Sequence, residues 1–179
     1  LNAPVAPPLL EFEADRVEVS DGSWRLTGKI TLRTGGYRLE ATALHTAKAR
    51  DCVSPRVQVE ALRVRNTGAK VSADRGQYCP SDQRFVLRDF KFNAPGFRIR
   101  GESIHGRLTT RVSNLRVKVT GGTVTTCGCE DPPWQIRFSE AKFVGGEGVS
   151  MHWPVMYLGE LPVATVPRWY FPASGRQSG

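Results

Sequence analysis

The feature that most constrains this chain is a two-residue alternation of apolar and polar side chains that returns in segment after segment. Trp24, Leu26, Gly28, Ile30 and Leu32 alternate with Arg25, Thr27, Lys29, Thr31 and Arg33. An extended strand sends successive side chains to opposite faces, so this spacing gives one dry face and one wet face. The same alternation runs through Tyr37–Ala41, Phe97–Gly101, Leu115–Val119 and Trp134–Phe138. No window of comparable length carries the i, i+3, i+4 spacing of an amphipathic helix. The fold class predicted is all-β.

Turn signals punctuate these segments: Asp21-Gly22, Gly35-Gly36, Asn66-Thr67-Gly68, Pro95-Gly96, Gly121-Gly122 and Gly145-Gly146. Two of them, Gly35-Gly36 and Gly121-Gly122, suit tight hairpins that need positive φ. Between Leu87 and Phe90 the alternation slips by one residue, and a bulge near Arg88-Asp89 would keep Phe85, Leu87, Phe90 and Phe92 on one face. An internal repeat is also present. Ala14-Asp15-Arg16 recurs 59 positions later as Ala73-Asp74-Arg75, and Gly36-Tyr37-Arg38-Leu39 recurs as Gly96-Phe97-Arg98-Ile99 with one residue inserted. Ile136–Phe143 reads as a third, weaker copy. Stacked copies of one β-unit point to a solenoid or an elongated jelly roll. The stretch Thr46–Gly68 does not fit the repeat and reads as an insertion.

Composition narrows the function. The 179 residues are 40% apolar, enough for one large β-domain, and no run approaches the ~18 apolar residues of a membrane-spanning helix. A net charge of +8 favours polyanionic partners without choosing among nucleic acid, anionic lipid and acidic protein. Nucleic acid is disfavoured, because the aromatics sit in the apolar phase of the alternation and the arginines in the other, which buries the rings that would stack on bases. An enzyme would need an activated nucleophile, an acid–base pair or a metal site. Ser103 and His105 are isolated, and Asp15 and Asp74 occupy equivalent repeat positions, which suits a structural turn role. Cys52, Cys79, Cys127 and Cys129 fit an oxidising compartment and allow three pairings. A zinc site is disfavoured, since there is no CxxC and His45, His105 and His152 keep no finger-like spacing. A bridge spanning one residue is strained, so Cys127 and Cys129 are expected to pair elsewhere or stay free. No cofactor is implied.

The C-terminal third is more specific. Thr125-Thr126-Cys127, the loop with Glu130-Asp131-Pro132-Pro133, and Trp134-Gln135-Ile136 resemble a signature of the LptD (organic solvent tolerance protein, OstA) family. Pro154–Gly159 with Leu161-Pro162-Val163, then Pro167–Pro172, and Arg176-Gln177-Ser178-Gly179 continue the resemblance. The upstream repeat unit is similar to the OstA-type repeat shared with LptA and LptC.

The resemblance implies an elongated, twisted β-jelly roll, OstA/LptA-like and open along one side, lying at the periplasmic face of the outer membrane with no catalytic activity. Residues 1–10 would be an N-terminal linker, 11–172 the periplasmic domain and 173–179 the junction to an outer-membrane β-barrel. It implies that lipopolysaccharide (LPS) arrives from an LptA-like bridge by edge-strand pairing and leaves toward the barrel, with an LptE-like lipoprotein as a partner of the full protein. The alternative is a free-standing LptA/LptC-like bridge or scaffold component. Cys127 matches the cysteine of the family's T-x-C motif, whose partner would lie outside this chain, and Cys129 resembles variants with a second nearby cysteine. Cys52 and Cys79 match no family position, and a local disulfide between them is expected. The lipid-lining residues expected are Trp24, Leu26, Ile30, Leu32, Leu39, Phe85, Leu87, Phe90, Phe92, Ile99, Val117, Ile136 and Phe138.

Overall fold

The computed structural model describes residues 11–34, 37–109, 115–129 and 131–172. These form fourteen strands and no helix: β1 (Glu11–Glu13), β2 (Arg16–Ser20), β3 (Ser23–Thr34), β4 (Tyr37–Ala49), β5 (Cys52–Arg65), β6 (Lys70–Cys79), β7 (Arg84–Ala94), β8 (Phe97–Arg107), β9 (Arg116–Thr125), β10 (Trp134–Val144), β11 (Gly148–His152), β12 (Val155–Leu158), β13 (Leu161–Thr165) and β14 (Arg168–Pro172). They make one antiparallel sheet in which β3 to β11 follow one another as a meander. The sheet forks at both ends. β1 and β2 share the outer edge of β3, while β10 pairs with β12 through its first half and β11 through its second. Among the described residues the forks do not pair with each other, so the roll is open there. Antiparallel pairing throughout selects the jelly roll over the solenoid.

Four of the six expected turns sit between strands. Asp21 (φ 47°) and Gly22 (φ 73°) close β2 to β3, and Gly96 (φ 87°) follows Pro95 between β7 and β8. The Asn66 carboxamide oxygen accepts from the amides of Gly68 and Ala69 between β5 and β6, and Gly145-Gly146 joins β10 to β11. Gly35-Gly36 lies outside the described residues. Gly121-Gly122 is not a hairpin; it lies inside β9, for a reason the packing makes plain below. Thr46–Gly68 is not an insertion either. It holds the end of β4 and all of β5, which pairs with β4 and β6 along its length.

A single sheet with no second layer can bury its apolar face only by folding on itself. The strands do this along one line. In β7 the inward residues are Phe85, Leu87, Phe90 and Phe92, with Asp89 at φ 51° between the two pairs. The expected slip is therefore present, but it is not a bulge in one strand. From β4 to β10 each neighbour slips at the same ladder row and the register is kept across it, while between β3 and β4 it shifts by one residue. Glu60 opposes Arg75 and Leu62 opposes Ala73, with Ala61 (φ 48°) between. Asp74, Asp89, Glu102, Gly121 (φ 54°) and Ser139 continue the row across β6 to β10. In β3 the same line is crossed by Gly28 and Lys29, and Asp15 accepts a 2.7 Å hydrogen bond from the Lys29 amide. This is the structural role expected for Asp15, and Asp74 holds the equivalent place on the row.

The sheet creases along this row, and each strand contributes half its length to each of two walls. Inward residues next to the crease are the most buried: Ile30, Leu62, Ala73, Phe90, Val119, Phe138 and Ala141. Burying a side chain of this size contributes roughly 2–3 kcal/mol. Rings on the floor require glycine beside them. A Cβ on Gly101 would come within 2.7 Å of the Phe90 ring, and one on Gly122 within 2.7 Å of Phe138 and 2.8 Å of the Arg100 carbonyl. That is why Gly121-Gly122 sits mid-strand, one glycine at the crease and one beneath a ring.

Gly122→Ala is expected to destabilise the chain by about 1–3 kcal/mol in urea unfolding, the usual cost of overpacking. Gly68→Ala, with open space around it, is expected to stay within about 0.5 kcal/mol. Equal midpoints for the two variants would contradict the packed floor.

Candidate functional site: an apolar trough with cationic lips

The two walls enclose a trough crossed by four ladder rows of inward residues. Two rows flank the crease and form the floor. The outer rows form the lips: Leu32, Leu39, Val64, Val71, Phe92, Ile99 and Val124 on one wall, and Val57, Tyr78, Phe85, Gly106, Val117 and Phe143 on the other. All thirteen residues named from the sequence face inward. Ile30, Phe90 and Phe138 lie in the floor at 0%, 2% and 6% exposure, where side chains fill the space. Ile136 is also buried, at the β10 end of the first lip row. Trp24, Leu26, Leu32, Leu39, Leu87, Phe92, Ile99 and Val117 are half-buried and pack against these cores. Phe85 stands at the lip beside Gly106.

Sequence reasoning missed comparable residues, including Leu44, Val59, Leu62, Ala73, Ile104 and Phe143. The signal that finds them is an i, i+2, i+5, i+7 spacing, which a strict period of two loses at the crease. Ala61 and Gly121, both at positive φ and 60 positions apart, show that β5 and β9 obey the same rule.

A cavity of about 900 Å³ runs along the lip of Tyr78, Phe85, Val117 and Phe143. A smaller one of about 380 Å³ lies at the opposite lip, beside Ala94, Phe97 and Thr126. The larger cavity is bordered by Arg56, Arg84, Arg107, Arg116, Lys118 and Lys142. Arg56 pairs with Asp51, and Arg84 with Asp82. At Asp82, partial desolvation pushes the carboxyl up, but hydrogen bonds from the Arg84 amide and guanidinium and the nearby Arg107 charge outweigh it and leave the group below its ordinary value. Lys118 opposes Lys142 across the β9–β10 ladder, a repulsive pairing relieved by Glu140, which bonds both at 2.6 and 3.1 Å. Hydrogen bonds from Lys118 and Lys142 hold the Glu140 carboxyl down at about 2.

The cysteines divide. Cys52 and Cys79 are joined, as expected, with Cα atoms 5.8 Å apart, and clasp the ends of β5 and β6 beside the larger cavity. Cys127 and Cys129 are joined to each other, which corrects the expectation that each would pair elsewhere or stay free. The loop makes this possible. Thr125 Oγ1 donates to the Trp134 carbonyl at 2.8 Å and accepts from the Cys127 amide at 3.1 Å, while Arg98 donates to the carbonyls of Gly128 and Cys129. These contacts, with an unhindered Gly128 at the tip, bring the two Cα atoms to 5.3 Å, within bridging range. Among the described residues no cluster of three or more His, Cys, Asp or Glu is placed to hold a metal.

Comparison with known proteins gives a consistent family. LPS-assembly protein LptD of Pseudomonas fluorescens is 25% identical over 182 residues, covering 99% of this chain. Those of Pseudomonas savastanoi (25% over 178 residues, 97% of this chain) and Saccharophagus degradans (23% over 180 residues, 99%) align similarly. The chain resembles LptD along almost its whole length. It spans only 18–20% of the length of these relatives. No protein-family model matches the chain. Among solved structures, LptH, the LptA homologous periplasmic component of the lipopolysaccharide transport device of Pseudomonas aeruginosa, aligns over 54% of this chain and 74% of its own, with TM-score 0.44 and 19% identity.

The segments that resemble the LptD signature occupy the forked end of the sheet. Thr125 and Trp134 hold the loop before β10, Tyr157 of β12 packs under the Arg137 guanidinium at 4.2 Å, and Trp169 stacks on Phe171 along β14. The Arg176–Gly179 segment lies outside the described residues.

Because folding depresses the Glu140 carboxyl below its ordinary 4.5, its ion pairs support the fold fully above that pH and are lost as pH falls toward about 2. A carboxyl-resolved NMR titration is expected to place the Glu140 midpoint near 2, with Lys142→Gln raising it. A midpoint near 4.5 in the unsubstituted chain would contradict the bridged arrangement.

Proposed function

We propose that this chain is the LPS-carrying periplasmic part of an LptD-type outer-membrane assembly protein, with residues 11–172 as the carrier domain and no catalysis of its own. The observation that carries this reading is the graded burial of the inward residues: Ile30, Phe90 and Phe138 are buried beside the crease, the lip residues are mostly half-buried, and the larger cavity lies beside the apolar lip residues Phe85, Val117 and Phe143. A packed core would be buried to its edges. Acyl chains laid against the lips would be held by roughly 0.8 kcal/mol per buried methylene, an attraction that sums along a chain yet is non-directional and permits sliding. The relatives' name, LPS-assembly protein LptD, supplies the cargo.

On this reading the fork of β1 and β2 receives the bridge. β2 exposes Val17 and Val19 at an edge that no strand pairs among the described residues, a ready template for an LptA-like strand. LPS would pass along the trough, across the strands, toward the fork of β11 to β14 and on to the barrel. Residues 173–179 would form the junction to that barrel and 1–10 a linker, and an LptE-like lipoprotein would join the full assembly.

Photoreactive residues at Phe85, Ile99 and Val117 are expected to capture LPS in cells, whereas Arg88 and Lys91 on the outer face are not. Equal capture from both faces would overturn the reading.

A further inference from the structure

We propose that the lip formed by the ends of β5 to β10 is an anion subsite that binds the phosphate groups of the amphiphile whose chains lie in the trough. The inference rests on the carrier reading and adds which lip meets the headgroup. Among the described residues six cations border the larger cavity, and the three carboxylates paired with them, Asp51, Asp82 and Glu140, leave three positive charges in excess. The excess has a geometry. Arg84 and Arg107 face each other directly across the β7–β8 ladder, and Asp82, which pairs with Arg84 and lies near Arg107, carries one negative charge against their two. Arg84 is held in place by Asp82 and by a 2.8 Å bond to the Asp51 carbonyl, and Arg56 by Gln77 at 3.2 Å. Arg107 and Arg116 extend the positive edge from β8 to β9.

Phe85, Val117 and Phe143 border the same cavity from the trough face, and Arg84, Arg107 and Arg116 border it from the strand ends, where the two faces meet at the lip. A ligand that satisfies both must be amphiphilic, with fatty chains below and a phosphomonoester at its head. Planar guanidiniums suit that oxyanion because each offers two parallel N–H donors. Neither feature alone selects this ligand. A free phosphate has nothing to place against Phe85, and an uncharged lipid leaves the excess positive charge of the lip unmet.

The test is equilibrium binding of three probes to the 179-residue chain: a bisphosphorylated acylated disaccharide, the same molecule without its phosphates, and inorganic phosphate. Replacing both Arg107→Gln and Arg116→Gln is expected to weaken the phosphorylated amphiphile at least about tenfold, since each charge-assisted hydrogen bond is worth roughly that factor, and to flatten its salt dependence. The dephosphorylated amphiphile should bind the variant and the parent equally. Arg65→Gln, at the opposite lip, should change neither. An equal loss for both amphiphiles, an equal effect of Arg65→Gln, or inorganic phosphate binding as tightly as the phosphorylated amphiphile would overturn the subsite while leaving the trough intact. Failure of both amphiphiles to bind the parent chain would overturn the carrier reading, and the subsite with it.

Discussion

Everything in this molecule depends on how a lone sheet disposes of its apolar face. With no helix and no second sheet among the described residues, the only cover for that face is the sheet itself. Uniform curvature would leave the alternation intact and the face open. A crease concentrates the bend in one residue per strand, and the price is paid locally, in positive φ at Ala61, Asp89 and Gly121 and in the glycines beneath Phe90 and Phe138. Because β4 to β10 slip at the same row, their pairing keeps one register on both sides of the bend, while β3 shifts by one residue against β4.

The crease also sets the gradient of burial on which the proposed carrier role rests. Side chains nearest the fold line meet their counterparts from the other half of the strand and fill the space between. Farther out, Phe85, Ile99 and Val117 are only half-buried and keep some apolar surface exposed. A solid floor holds the walls together, and open lips leave room for flexible chains. The charge pattern follows from the same alternation, because each lip ends where outward-facing arginines and lysines meet inward-facing rings.

Much of this was legible in the sequence. The alternation in Trp24–Arg33 specified strands, and Asp21-Gly22, Pro95-Gly96 and Gly145-Gly146 specified where they turn. Phe85, Leu87, Phe90 and Phe92 even carried the crease, read there as a bulge in one strand. What a single strand cannot show is that its slip is shared, so the row through Ala61, Asp74, Glu102 and Ser139 went unread, and Thr46–Gly68 was set apart for want of it. Gly121-Gly122 was misread for a related reason: adjacent glycines serve a hairpin and a crease under an aromatic ring equally well, and only the position of Phe138 separates them. The Cys127–Cys129 bridge depends on contacts from Arg98 and Thr125, which no spacing of cysteines reveals.

The creased sheet can be measured directly. Nitroxides placed at Phe97 and Arg107 through noncanonical amino acids report the end-to-end span of β8 by pulsed electron–electron resonance. A straight strand of this length spans roughly 33 Å. A strand folded at Glu102 brings its ends well inside that distance, and this is the expected result. A distribution centred near the straight value would mean that the sheet has no crease and no trough.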